Sequence, residues 1–126
     1  LFKERLPPMI RGIVTQEGEP VIDLDVSGQK WKAIIDTGFN GDLELPESLG
    51  DKFHKTHAGF FTSFLAGGRK VRESLYNIRF PFEGRIVNAE VAFAPVDSIL
   101  IGTRLLKDYR LEIDFVEKTV VLERMD

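Results

Sequence analysis

Short runs of branched apolar residues alternate with polar turns along most of the chain, a pattern that predicts an all-β domain. In the run 30–35, Trp31, Ala33 and Ile35 fall at every second position, so we expect this strand to turn one face towards a core. Between residues 60 and 76, two extended segments flank paired glycines, which indicates a hairpin. In addition to the run 30–35 and this hairpin, the predicted strands cover residues 11–15, 21–26, 43–45, 76–82, 85–94, 111–115 and 119–122.

Two short segments favour helix instead. Residues 102–109 place Leu105, Leu106 and Tyr109 on one face at helical spacing, so a short C-terminal helix is predicted there. Residues 46–49 favour a first helical turn, because proline is tolerated at the start of a helix.

The length and composition fit one globular domain. A chain of 126 residues can bury a core but is short for two ordinary domains, and no linker or low-complexity tract divides it. We therefore predict a single domain over residues 11–126, preceded by an N-terminal segment over 1–10. Hydrophobic content of 43% argues against disorder. No apolar run approaches the roughly 20 residues of a transmembrane helix, so no membrane partner is expected.

Charge and cysteine content exclude several functions. With 17 basic and 20 acidic residues, and no cluster of Lys and Arg interleaved with aromatics, nucleic acid is not an expected partner. The chain has no cysteine, which excludes disulfides, thiolate nucleophiles and Cys-type zinc sites. A cysteine-free chain fits a reducing compartment, and residues 1–10 lack an apolar signal region, so we expect a cytoplasmic location.

An acid stands directly at the end of one predicted strand, in the run Ala33-Ile34-Ile35-Asp36-Thr37-Gly38. An ionised carboxylate among apolar neighbours is costly unless hydrogen bonds satisfy it. The glycine permits close backbone approach, so N–H groups of the turn can point back at the acid. The same tripeptide also fits an ordinary turn with an Asx-type hydrogen bond. The residues alone leave both a catalytic and a structural role open.

Three motifs in order resemble those of the retropepsin-like aspartic proteases. The segment 34–38, Ile-Ile-Asp-Thr-Gly, is similar to the active-site signature, and 99–106, Ile-Leu-Ile-Gly-Thr-Arg-Leu-Leu, is similar to the second signature. Between them, 65–69, Leu-Ala-Gly-Gly-Arg, stands where the family places the tip of its flap hairpin. The resemblance runs from about Gly12 to Leu122 and is closest to small bacterial members.

The resemblance implies a closed β-barrel with a flap hairpin and one short C-terminal helix, active as a homodimeric aspartic endopeptidase. Peptide hydrolysis by this route needs two neighbouring carboxylates that share one proton, the standard description of aspartic proteases. The chain offers one candidate, because the segments around Asp25 and Asp97 lack the motif. The second acid must then come from Asp36 of another copy across a two-fold axis.

The same resemblance assigns roles to residues of the loop and the flap. Asp36, Thr37 and Gly38 form the catalytic group, with the threonine hydrogen-bonding across the dimer axis. The peptide substrate would contact the loop and the hairpin tip, and no metal or organic cofactor is implied. For the two flap glycines an ordinary hairpin turn is the alternative. The predicted substrate-binding residues are Phe39, Asn40, Ala66, Gly67 and Gly68.

Some residues depart from the pattern of the viral relatives. Those relatives carry arginine directly after the glycine of the second signature, paired with an acid near the active loop. Here Thr103 takes that place and Arg104 follows, so the dimer's stabilising salt bridge is expected to be rearranged or absent. Phe39 is large where viral relatives have a small residue and should narrow the cleft or pack against the flap. Asn40 and Asp42 could contact substrate or hold the loop, and for Asp42 a solvated surface acid is favoured.

Other features favour less specific roles. His54 and His57 could share a helical face, but without a further ligand plain surface histidines are favoured over a metal site. Phe60, Phe61 and Phe64 are expected to be core or dimer contacts. The alternative to the enzyme is a non-catalytic peptide-binding or dimerisation module in which Asp36 anchors a loop.

Overall fold

The computed structural model of the chain describes residues 9–64 and 66–125. Of the predicted N-terminal segment 1–10, only Met9 and Ile10 are among the described residues, and they open the first strand. Leu65 of the predicted flap tip also lies outside them. The prediction of a mostly β domain is confirmed. The strands are β1 (Met9–Val14), β2 (Pro20–Val26), β3 (Gln29–Ile35), β4 (Leu43–Pro46), β5 (Thr56–Phe64), β6 (Lys70–Phe82), β7 (Arg85–Ala94), β8 (Ile99–Ile101), β9 (Tyr109–Asp114) and β10 (Thr119–Arg124).

All ten strands belong to one sheet, in the order β5-β6-β7-β4-β8-β3-β2-β1-β10-β9. Most neighbours are antiparallel, but β3 pairs with β8 and β4 pairs with β7 in parallel. The predicted closed barrel is wrong for the described residues, because β5 and β9 are the two edges of the sheet and do not pair with each other. The β9 edge exposes Arg110, Glu112 and Asp114, and charged side chains on an edge oppose pairing with another strand.

The predicted C-terminal helix over 102–109 is also wrong. Residues 103–108 form consecutive turns, in which the N–H of Leu106 donates to the Thr103 carbonyl and the N–H of Tyr109 to the Leu106 carbonyl. The one helical element of the described chain is a 3₁₀ helix over Glu47–Lys52, where the sequence predicts a helical turn after Pro46. No helix in residues 9–64 and 66–125 has the length and apolarity needed to cross a bilayer.

Tight turns explain several strand boundaries. β2 and β3 are joined by Ser27 and Gly28, and β6 and β7 by Glu83 and Gly84, all four with positive φ. Two such residues in a row match the right-handed twist of a hairpin. By contrast, β6 is one continuous strand of 13 residues where the sequence pattern suggested a division near Tyr76.

The core lies on the faces that the alternation predicts. In β3, Ala33 and Ile35 are buried and the partly buried Trp31 packs against the core, while the lysines are exposed. The largest fully buried side chains come from six different strands, so most of the sheet contributes to one core. They include Phe80, Phe82, Ile22, Leu43, Leu45, Ile99, Ile101, Leu122, Val26, Val91 and Val120.

Candidate active site

Parallel pairing of β3 with β8 fixes where the acid of the first motif lies. Ile35 is level with Ile101, so both strands end side by side, and the N–H of Asp36 donates to the Ile101 carbonyl at 2.9 Å. The two motifs, far apart in sequence, therefore meet at one point. Asp36 itself is half-buried, and Thr37 and Gly38 are exposed.

The turn after β3 supplies a hydrogen bond to the acid, as the sequence predicts. The N–H of Gly38 donates to Asp36 Oδ1 at 2.9 Å, and the N–H of Phe39 donates to the Asp36 carbonyl at 3.1 Å. A Cβ added to Gly38 would lie 3.2 Å from the same carboxylate oxygen. The glycine thus lets the turn hold the carboxylate while leaving it partly open to solvent.

The loop after the turn is pinned by the start of the second motif. The N–H groups of Gly102, Thr103 and Arg104 donate to the carbonyls of Asp42, Phe39 and Gly41 at 3.0, 2.8 and 3.2 Å, respectively. A Cβ on Gly102 would lie 2.1 Å from the Gly41 carbonyl oxygen, so only glycine fits this approach. The Phe39 ring covers Gly41 and Gly102, because a Cβ added to either glycine would lie 2.7 or 2.8 Å from the ring, respectively. Phe39 thus packs back onto its own loop.

Asp42 is buried, so its assignment as a solvated surface acid is wrong. Asp42 is only 6% exposed. Asp42 Oδ2 accepts a hydrogen bond from the N–H of Glu90 at 2.8 Å, and Oδ1 lies 3.9 Å from Arg104 Nε. The arginine also approaches Glu90 at 3.9 Å. Arg104, one position after Thr103, therefore forms an ion pair with an acid of the active loop. The expectation for the dimer's salt bridge stays a prediction.

Replacing Asp42 by alanine should cost about 2 kcal/mol of unfolding free energy, because the partly buried N–H of Glu90 then loses its acceptor. Arg104→Ala should cost no more than about 1 kcal/mol, since the arginine side chain is 60% exposed. Urea denaturation of both variants measures the difference. If neither substitution lowered the unfolding free energy, Asp42 would behave as a solvated surface acid.

A cleft of about 420 Å³ opens between this loop and the β5–β6 hairpin. Residues 38–42 line one side, and Phe61 of β5 with Glu73 and Leu75 of β6 line the other. The floor comes from β4 and β7. Gly38, Phe39 and Asn40, three of the predicted site residues, therefore share one cleft with the stem of the predicted flap. The remaining lining residues are Leu43, Glu44, Glu90, Ala92 and Arg104.

The predicted flap exists as a long hairpin, but its tip does not line the cleft. Ala66, Gly67 and Gly68 are exposed at the turn between β5 and β6. Gly67 and Gly68 have φ of +88° and +79°, and an added Cβ on either would meet no atom within 4 Å. Backbone conformation, and not lack of space, therefore requires glycine here.

Two faces of the hairpin differ in character. Phe61 lies opposite Glu73 and faces the cleft. Phe60 and Phe64, 53% and 69% exposed, lie on the other face, where Arg72 stacks over the Phe60 ring at 3.6 Å. These phenylalanines are not part of the core, which leaves the predicted dimer contact as their open role.

Glu44 on the floor of the cleft has a pKa raised above that of an ordinary glutamate. Partial burial is the larger cause, and the negative charge of Glu73 adds to it. Both effects disfavour the ionised form. The folded chain therefore holds this proton more tightly than the unfolded chain, and stability falls as pH rises from the usual glutamate pKa through the raised one.

Glu44→Gln should consequently raise the unfolding free energy at pH 7 by a few tenths of a kcal/mol, a small gain because solvent screens the group. Below about pH 4 the gain should vanish, since the glutamate is then neutral in both folded and unfolded states. Thermal unfolding of both proteins from pH 3.5 to 8 measures the trend. A gain independent of pH would contradict it.

The two histidines lie near each other in sequence without forming a metal site. His57 packs edge-on against Phe60 and Tyr76, with ring centroids 4.8 and 5.5 Å away. Among residues 9–64 and 66–125, no group of three or more His, Cys, Asp or Glu side chains is arranged to hold a metal ion.

Sequence reasoning missed the acids of the cleft. Glu44 had a visible signal, because it stands between two buried leucines and alternation must turn it away from the core. Glu73 and Glu90 carried no such signal, since their place in the cleft depends on how β6 and β7 pair.

The strand order and the loop arrangement define the class of the domain, which has the retropepsin-like fold. A crystal structure of a retropepsin-like aspartic protease from Rickettsia conorii is similar over 98% of this chain and 97% of that one, with a TM-score of 0.62 and 19% identity. The solution structure of Simian Foamy Virus (mac) protease matches 69% of this chain and 91% of that one, at a TM-score of 0.55 and 24% identity.

A foamy viral protease-reverse transcriptase is also similar, over 86% of this chain but 13% of that one, with a TM-score of 0.56 and 22% identity. No protein-family model and no curated protein sequence matches the chain. At such identities the likeness establishes the fold alone, and the activity has to be argued from the site.

Proposed function

We propose that this protein is an aspartic endopeptidase that acts as a homodimer. The observation that carries the proposal is the half-buried Asp36 carboxylate, which accepts a hydrogen bond from the N–H of Gly38, a residue that lines the cleft between loop and hairpin. Thr37 and Gly38 complete the catalytic turn. The similarity to a retropepsin-like aspartic protease over nearly the whole chain supports the same conclusion.

The chemistry requires a second carboxylate beside Asp36. Asp42, the next acid along the loop, is engaged by the N–H of Glu90 and by Arg104. A two-fold axis beside the exposed Thr37 would set each Asp36 against its symmetry mate, because such an interface pairs each axial residue with itself. The two carboxylates would then share one proton and titrate as a pair.

In the reaction, the ionised Asp36 takes a proton from a water molecule, whose oxygen attacks the peptide carbonyl. The protonated Asp36 of the other copy hydrogen-bonds to that carbonyl and polarises it. Breakdown of the tetrahedral intermediate breaks the C–N bond and transfers a proton to the leaving amine. No metal or organic cofactor takes part in this scheme.

The substrate would be an extended peptide or protein segment lying between the loop and the hairpin. Phe39 and Asn40 would contact it from below, and the tip residues Ala66, Gly67 and Gly68 would close over it. The lack of cysteine supports a reducing, cytoplasmic setting for this activity.

Digestion of a peptide library across pH 3 to 8 tests the proposal. We expect cleavage within peptides and a bell-shaped pH dependence of kcat/KM, which reports the coupled pair of acids. Peptide binding without products at any pH would instead favour the non-catalytic module of the same fold.

A further inference from the structure

The cleft beside the candidate catalytic loop carries an excess of negative charge. Glu44 on β4, Glu73 on β6 and Glu90 on β7 reach it from three strands. Its one cationic lining residue, Arg104, is 3.9 Å from Glu90 and 3.9 Å from Asp42. In the described chain, Glu44 and Glu73 have no ion-pair partner.

The position of these two acids is unfavourable without a ligand. Glu44 lies on the floor of the cleft and Glu73 on the hairpin, and partial burial together with the charge of Glu73 raises the pKa of Glu44. The walls between them are largely apolar, from Phe61, Leu75 and Ala92. An apolar cleft that also holds two like charges suits a long side chain with a cationic head, because the stem can pack while the head neutralises the acids.

We infer that the cleft selects substrates with a lysine or arginine side chain near the scissile bond, with its cationic group bound between Glu44 and Glu73. This inference rests on the proposed function and names the substrate class of the same site. The volume of about 420 Å³ lies within the range of ordinary side-chain and ligand pockets. Arg104 is already engaged by Asp42 and Glu90, so it leaves Glu44 and Glu73 without a cationic partner in the cleft.

Paired peptides test the inference without depending on turnover. Each peptide of a library carries lysine, norleucine or glutamate at one position in turn, and norleucine matches the length of lysine without its charge. Cleavage by the wild-type protein is read by mass spectrometry, and binding to the Asp36→Asn variant by fluorescence anisotropy. At one or two positions we expect lysine to be favoured about tenfold over norleucine, with glutamate poorest, and the preference to weaken at high salt.

Variants of the two glutamates show whether the preference for lysine depends on them. In Glu44→Gln/Glu73→Gln, the ratio of lysine to norleucine peptide should fall to nearly one, both for cleavage and for binding. Glu17→Gln, in the exposed β1–β2 turn, is the matched control and should keep the preference.

The outcomes separate the two proposals. Cleavage without a preference for lysine, or with a preference that survives the double substitution, overturns this inference and leaves the endopeptidase standing. Lysine-selective binding that depends on the two glutamates, with no cleavage of any peptide, supports the recognition and overturns the endopeptidase. Absence of both binding and cleavage overturns the inference too.

Discussion

Asp36→Asn is expected to lower kcat for peptide cleavage at least about a thousandfold while leaving the fold and the dimer intact. An amide cannot take a proton from water, and the variant dimer, with an amide in both copies, has no carboxylate pair to share the proton that both steps need. The fold should survive because the asparagine side-chain oxygen can still accept the N–H of Gly38. Initial rates, circular dichroism and sedimentation measure the three properties.

Mixing the variant with the wild-type protein shows whether the acids work in pairs. If both acids are needed and subunits exchange, activity should fall with the square of the wild-type fraction, so an equal mixture keeps about a quarter of the dimers active. Asp97→Asn, in the exposed loop before β8, is the control: mixing it with the wild-type protein should leave the activity unchanged. A linear fall would mean that each chain acts alone, and unchanged turnover in Asp36→Asn would refute the catalytic assignment.

Gly102→Ala is expected to cost about 3 kcal/mol of unfolding free energy, at the upper end for overpacking. The new methyl group would lie 2.1 Å from the Gly41 carbonyl oxygen and 2.8 Å from the Phe39 ring. The first neighbour is backbone, so no side-chain rotation relieves the clash. Because Gly102 also donates its N–H to this loop, the substitution should displace Asp42 and loosen the turn that holds Asp36. Urea denaturation measures the loss.

Gly50→Ala provides the matched comparison for Gly102→Ala. A Cβ at Gly50 would approach only Lys55 Nζ, at 3.8 Å, and the backbone there is not in the left-handed region. Alanine should leave the unfolding free energy unchanged or raise it by up to about 1 kcal/mol, because it lowers the conformational entropy of the unfolded chain. Equal effects of the two substitutions would mean that the close approach of Gly102 to Gly41 does not support the loop.

Local pattern predicted most of the strands because alternation and turn chemistry are local signals. The run from Trp31 to Ile35 shows its buried face directly, and the Ser27-Gly28 turn shows where β2 must reverse. The sequence predicts two strands where the structure has β6, because no local signal reveals that one strand can belong to both the hairpin and the core. Its 13 residues pair with β5 over one half and with β7 over the other.

The helix over 102–109 failed for a tertiary reason. Leu105, Leu106 and Tyr109 do point towards the core, so their spacing was read correctly. The N–H groups of residues 102–104, however, bond to the loop 39–42, which sets the chain direction. Eight residues form a marginal helix in any case, and consecutive turns bring the same side chains to the core.

The candidate site was predictable only in part. The acid and its glycine turn could be read from six consecutive residues. The burial of Asp42 could not, because its partners Glu90 and Arg104 lie far away in sequence and reach it only through sheet pairing. The charge of the cleft escaped prediction for the same reason.

A crystal structure of the protein as it assembles in solution tests the central claim most directly, through the distance between the two Asp36 carboxylates. The account predicts a two-fold dimer in which these oxygens lie within hydrogen-bond reach, about 2.6–3.2 Å apart. A monomer, or a dimer that holds the carboxylates more than about 6 Å apart, would contradict it, because the two acids could then not share a proton.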